Sequence, residues 1–193
     1  MDDLVENRAH SDRFQLLNGL WKFRFFPSVT EVTEEFFRTD YDVSDFDTIP
    51  VPGMWQMYGY DLHQYTNVRY PFPYDPPYVP VNNPAGAYVT TFEYHTDPHA
   101  PKAYLNLEGV DSCAYLWLNG QYVGYTQGAN NVAEFDITPY IYKGKENRLA
   151  VQVFRWSDGS YLECQDMFRM SGIFRDVYLY NVPKVSVRDH YLT

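Results

Sequence analysis

Proline and glycine recur so regularly along this chain that no long amphipathic helix is left between them, and the chain is confined to short extended elements joined by turns. The runs that remain are apolar or alternate apolar with polar. Residues 20–26, 87–94, 103–107, 114–118, 149–154 and 177–180 all read as strands on that pattern. Asn119-Gly120 sits between two such runs, and both residue types tolerate positive φ, so residues 115–118 and 121–125 form a hairpin with a two-residue turn. Residues 132–140, with Phe135 and Ile137 on either side of Asp136, supply a further strand before the turn at Lys143-Gly144-Lys145-Glu146. Short strands in this number, without helices, mean an all-β sandwich.

Aromatic residues make up 19% of the 193 residues, with 19 Tyr, 13 Phe and 4 Trp. Flat side chains suit pleated strands and sandwich cores, and aromatic faces also stack on sugar rings. Two stretches depart from the strand pattern. Residues 50–84 carry Pro50, Pro52, Pro71, Pro73, Pro76, Pro77, Pro80 and Pro84 among many tyrosines, which forbids a central strand and favours long Pro/Tyr-rich loops lying over the sandwich. Residues 155–175 crowd charges, amides, aromatics and glycines together with no helix or strand period. Trp156, Tyr161, Met167, Phe168, Met170, Ile173 and Phe174 are too many apolar groups for a solvated linker. The polar groups among them must therefore be partly buried and hydrogen-bonded, as in an ordered functional loop.

A formal net charge of −10 without a Lys/Arg cluster repels phosphate backbones and argues against a nucleic-acid partner. No stretch approaches the roughly 18 apolar residues that span a bilayer. The start, Met1-Asp2-Asp3-Leu4, lacks the pattern of a signal peptide, so a soluble protein of the cytoplasm or periplasm is expected. Cys113 and Cys164 have no metal-site spacing and are expected to be free thiols. His10, His63, His95, His99 and His190 are scattered and form no metal or catalytic cluster in the sequence. Three segments follow: an arm over residues 1–12, the sandwich over 13–182, and a linker with the start of another domain over 183–193, where a strand-like pattern resumes with nothing left to pair with.

Taken in order, Leu17-Asn18-Gly19-Leu20-Trp21-Lys22-Phe23, Val51-Pro52-Gly53-Met54-Trp55-Gln56-Met57, Tyr65-Thr66-Asn67-Val68, Leu118-Asn119-Gly120, Gly124-Tyr125, Glu134-Phe135-Asp136 and Asn147-Arg148-Leu149-Ala150-Val151 resemble the amino-terminal sugar-binding domain of glycoside hydrolase family 2. The stretch Arg155 to Arg175 is similar to the signature of the β-galactosidase branch. The resemblance implies a jelly-roll sandwich, like galactose-binding domains, followed by an immunoglobulin-like domain and a (β/α)₈ barrel. It also implies a retaining hydrolase of terminal β-galactosides, with homo-oligomers at full length. Both catalytic glutamates would then lie in the barrel, so no catalytic residue is expected in this chain and the fragment alone is expected to be inactive.

The same resemblance makes Asn67 and Asp166 substrate contacts reaching into the barrel's active site, with Val68 beside Asn67. His63, near Asn67 in sequence, could be a pocket neighbour, although a surface or packing role is the first expectation. The resemblance assigns Asp166 to a shared sodium ion and leaves magnesium to the barrel. The chemistry suits them: an Asn amide donates and accepts toward sugar hydroxyls, and a carboxylate accepts from two of them or ligates a hard cation. Read from the residues alone, a backbone cap near Pro71 would equally account for Asn67, and a buried ion pair with Arg169 or Arg175 for Asp166. A helical turn at Leu162 would put Glu163 and Asp166 on one face, yet neighbours on one turn cannot flank a sugar as the two carboxyls of a retaining glycosidase do. Asp158, in the turn composition Ser157-Asp158-Gly159-Ser160, is expected to cap its own backbone. Cys164 stands where relatives have an acidic residue, a departure from the pattern. An autonomous carbohydrate-binding module, and a structural docking domain of a β-glucuronidase- or β-mannosidase-type relative, remain as alternatives.

Overall fold

The computed structural model describes residues 8–32, 35–163, 166–188 and 190–192. Its strands are β1 (Phe14–Leu16), β2 (Gly19–Phe26), β3 (Asp47–Val51), β4 (Gly53–Met54), β5 (Gln64–Thr66), β6 (Ala85–Glu93), β7 (Lys102–Leu107), β8 (Val110–Asp111), β9 (Cys113–Leu118), β10 (Gln121–Gln127), β11 (Ala133–Asp136), β12 (Glu146–Phe154), β13 (Met167–Arg169), β14 (Gly172–Ile173) and β15 (Val177–Val182). Ten of them build the body: a six-stranded sheet ordered β10-β9-β12-β6-β2-β3 and a four-stranded sheet ordered β1-β15-β7-β11. The alternation along β12 shows why they pack face to face. Leu149, Val151 and Val153 join Leu105, Leu107, Val177 and Leu179 of the smaller sheet in one core, while Ala150 points the other way. This is the all-β sandwich expected from the sequence.

The outward face of the larger sheet is not left to solvent. Ala85, Ala87, Val89 and Ala150 are small there, and residues 35–46 fold across them, inserting Phe36 and Phe46 into a second, smaller core. Phe37 stacks on Trp117 at the margin, with centroids 4.8 Å apart and planes 11° from parallel. Each large ring buried in this way stabilises by about 1.5–3 kcal/mol.

The hairpin turn forms as expected. Leu118 pairs with Gln121, and Asn119 and Gly120 both hold positive φ, 54° and 78°. The sequence gives no hint of a second duty for Asn119. Its Nδ2 donates to Oδ1 of the fully buried Asn147 at 2.8 Å, and its Oδ1 accepts from the Arg148 amide at 2.9 Å. Asn147 in turn closes the turn before β12 by accepting from the Tyr142 amide and donating to its carbonyl.

The structure corrects several readings. The strand expected over 132–140 is limited to Ala133–Asp136, because Asp136 Oδ1 then accepts from the Thr138 amide and turns the chain. Residues 50–84 are not loop alone. Pro50 lies in β3 at the edge of the larger sheet, where a missing N–H is tolerated, and β4, β5 and a 3₁₀ turn at Trp55–Tyr58 follow it. The irregular stretch 155–175 likewise contains a 3₁₀ turn at Asp158–Tyr161 and strands β13 and β14. None of the described residues beyond Val182 forms a strand. Cys113 is a buried free thiol, and burial pushes its pKa up to about 11; Cys164 lies outside the described residues. No helix among the described residues is long and apolar enough to cross a membrane.

Candidate functional site

The two short motifs singled out in the sequence meet on a ladder that no periodicity announces. Strands β5 and β13 pair antiparallel, with Gln64 opposite Arg169, Tyr65 opposite Phe168 and Thr66 opposite Met167. Asn67 and Asp166 are the next residue on each side beyond the last pair, so one register brings together positions far apart in the chain. Both are exposed, as are His63 and Val68.

Side chains fix the ladder from two directions. On the exposed side the Tyr65 hydroxyl donates to Asp166 Oδ1, and that bond to the carboxylate raises the Tyr65 pKa. Phe168 packs against Tyr65 and meets His63 edge-on, with centroids 5.5 and 5.7 Å apart. On the buried side Arg169 donates from Nε to Thr66 Oγ1 and from Nη1 to the Glu163 carbonyl, each at 3.0 Å. Arg155, also buried, pairs with Asp61 and donates to the Leu62 carbonyl at 3.0 Å, holding the segment that leads into β5. Arg169 thus ties β13 to β5 within the ladder, and Arg155, just after β12, ties the segment before β5 to the sandwich through a charge-assisted pair.

Glu163 and Asp166 turn to different partners. The 3₁₀ turn ends at Leu162, Glu163 Oε1 accepts from the Ala129 amide at 2.6 Å, and Asp166 faces Tyr65. The turn is capped by Ser157 and Ser160 in a capping box, not by Asp158 as expected from the sequence; Asp158 accepts from the adjacent Gly159 amide at 3.0 Å. Of the site residues, Tyr65 and Arg155 escaped the sequence reading, and Arg169, considered there only as a partner of Asp166, bonds Thr66 and the Glu163 carbonyl. Tyr65 was visible beside Asn67, but only the ladder register reveals that it reaches Asp166.

Beneath the ladder lies a polar cavity of about 220 Å³ lined by Asp111, Arg155, Glu163 and Arg169. Burial, and then the nearby Glu163 charge, push the Asp111 pKa up to about 7, against the opposing pull of Arg169 and Arg155. A carboxyl held neutral in the fold but ionised when unfolded contributes stability that is complete below the unfolded pKa and lost as pH rises through the folded one. Asp111→Asn removes that dependence. Its urea stability relative to wild type improves between pH 5 and pH 8 by on the order of 2 kcal/mol. Parallel stability curves for the two proteins would refute the assignment.

Fold and site together define a β-sandwich domain that presents an exposed amide and carboxylate on a braced ladder, the kind of module that contacts small polar ligands. A family profile described as "Glycosyl hydrolases family 2, sugar binding domain" matches residues 14–183. The chain is 47% identical over 192 residues to a β-galactosidase of Yersinia enterocolitica, covering 99% of this chain and 18% of that protein. It is 52% identical over 190 residues to one of Pectobacterium atrosepticum, covering 96% and 18%. A solved β-glucuronidase of Bacteroides uniformis shares the fold at a TM-score of 0.64 and 24% identity, over 88% of this chain and 18% of that one. This chain belongs to glycosyl hydrolase family 2, as its sugar-binding domain. It spans about 18% of the length of the curated relatives it matches.

Proposed function

We propose that this domain forms one wall of the active site of a β-galactosidase-like retaining hydrolase acting on terminal β-galactosides, with Asn67 and Asp166 as its substrate contacts. The observation that carries the proposal is the β5–β13 register, which sets an amide and a carboxylate side by side at an exposed edge. Identities of 47% and 52% to proteins named β-galactosidase favour galactose over glucuronic acid. The electrostatics agree: an acidic chain presenting Asp166 repels the carboxylate of a glucuronide and accepts from the hydroxyls of a neutral sugar.

A retaining hydrolase needs an acid and a nucleophile about 5–5.5 Å apart on either side of the glycosidic bond. This domain offers no such pair at the ladder, so in the proposed reading both come from further domains of the same protein. Here Asn67 and Asp166 bind and orient the sugar. Asp166 also suits a sodium ion as one hard oxygen donor, because Tyr65 occupies Oδ1 and leaves Oδ2. Among the described residues no group of three or more acidic, His or Cys side chains could hold a metal, so the remaining ligands would come from elsewhere. A bound sodium would supply charge for sugar hydroxyls to coordinate, and Tyr65 would keep the carboxylate turned toward it.

Assaying the longer protein that carries this domain against matched nitrophenyl glycosides tests the substrate. Turnover of the β-galactoside should exceed that of the β-glucuronide and β-mannoside by about two orders of magnitude or more, the discrimination available where a site must pair specific hydroxyls. A preference for either of the others would overturn the proposal.

A further inference from the structure

The outer face of the larger sheet is covered by residues 35–46 only in part, and where the cover stops a shallow aromatic cleft lies on the strands β9, β10 and β12. The depression has a volume of about 330 Å³ and is open to solvent along most of its length. Tyr115, Tyr125, Phe154 and Trp156 line it, with Asp158 and Asn83. Tyr115 and Tyr125 are 38% and 41% exposed, so their rings are open to a ligand even though they pack against each other with centroids 5.0 Å apart. Phe154 meets Tyr115 edge-on at 5.6 Å.

The polar part of the cleft is built rather than scattered. The Tyr125 hydroxyl donates to Gln127 Oε1 at 2.5 Å, and Gln127 Nε2 donates to Asp158 Oδ1 at 2.7 Å. This relay fixes the carboxylate relative to the aromatic ring. It requires glycine at 159, because a Cβ there would come within 2.7 Å of Gln127 Nε2. Oδ1 of Asp158 is thereby occupied, while Oδ2 has no hydrogen-bond partner among the described residues and remains an acceptor at the rim. Asn83 closes the back with its amide already spent, its Oδ1 accepting from the Trp156 amide and its Nδ2 donating to the Trp156 carbonyl.

We propose that this cleft is a second carbohydrate site, separate from Asn67 and Asp166, in which a neutral pyranose lies on Tyr115 and Tyr125 and donates hydroxyl protons to Asp158. Aromatic faces attract the apolar C–H face of a sugar, and an ionised carboxylate accepts from its hydroxyls. An isolated carboxylate in a chain of net charge −10 disfavours anionic sugars and phosphates and favours a neutral polyol. The proposal goes beyond the active-site reading and needs none of its residues. A site of this kind would hold an oligosaccharide to the domain away from the point of cleavage.

The test is a titration of the chain with lactose and with methyl β-galactoside, followed by NMR at the Trp156 indole and the Tyr125 and Asp158 amides. Saturable shifts are expected, with affinity weakened about fivefold by Tyr125→Ala and by Asp158→Asn. Asn keeps the Oδ1 acceptor of the relay, and near-native spectra away from the cleft check the fold of both variants. Tyr122→Ala is the control: Tyr122 is 51% exposed on the same strand but does not line the cleft, and it should leave binding unchanged. Absence of saturable shifts overturns the proposal, as does equal weakening by all three variants. Shifts abolished by Asp166→Ala and untouched by Tyr125→Ala would also overturn it while leaving the active-site reading standing. The converse pattern separates the two in the other direction.

Discussion

Asp166→Ala in the longer enzyme lowers kcat/KM for a β-galactoside by about three orders of magnitude, ~4 kcal/mol of transition-state stabilisation, while its thermal midpoint stays near wild type. The two halves of that expectation have separate grounds. Asp166 is exposed and its described contact is the Tyr65 hydroxyl, so its loss removes little from the fold. In the proposed reading the Asp166 carboxylate meets the sugar charged, and charged hydrogen bonds are those that strengthen most as charge develops on the ring. Tyr65→Phe gives a graded companion effect of about tenfold, because the carboxylate survives but is no longer held in one rotamer. Unchanged kinetics in Asp166→Ala would sink the site assignment. A large effect accompanied by unfolding would instead make Asp166 structural.

Gly172→Ala destabilises the domain by about 4 kcal/mol, read as an earlier urea midpoint with an unchanged slope. The residue sits at φ +143°, where a side chain is strained, and an added Cβ would lie 2.5 Å from the Gly53 carbonyl oxygen and 3.2 Å from the Met54 Cα. Both are backbone atoms of β4, so no rotamer change relieves the contact. Gly172 pairs with Met54 on one side and with Asp111 on the other, and one residue earlier the Ser171 carbonyl accepts from the Trp55 amide at 3.0 Å. Displacing β14 therefore also disturbs Trp55, a fully buried core residue. A stability loss under 1 kcal/mol would mean that β4 and β14 separate freely.

The sandwich was legible because its strands obey a local rule. Residues 149–154 alternate between two buried faces, and Asn119-Gly120 encodes its own turn in two residues. The strands that escaped notice are β1, β3, β4, β5, β8, β13 and β14, and all of them except β3, which carries Pro50, are two or three residues long. A period of two cannot be read from so few positions, and each exists only because a distant partner supplies its hydrogen bonds. Candidate site residues were legible by likeness, as members of Tyr65-Thr66-Asn67-Val68 and Gln165-Asp166-Met167, of which Gln165 lies outside the described residues. Their bracing was not. Nothing near Thr66 in the sequence points to Arg169, and nothing near Leu62 points to Arg155, because long-range ion pairs and side chain to backbone bonds leave no periodic trace.

The ladder carrying Asn67 and Asp166 sends none of its residues into the main core. Arg155, just after β12, holds the approach to β5, while Arg169 of β13 bonds Thr66 and the Glu163 carbonyl from the buried side. Such an arrangement separates heritable variation in ligand choice from variation in foldability. Positions 63, 65, 67, 68, 166 and 168 can be exchanged without opening a hole in the sandwich, whereas losing either arginine would move all of them at once. Residues on the exposed face of such a ladder can therefore change in single, nearly stability-neutral steps, provided that the buried arginines beneath it are kept.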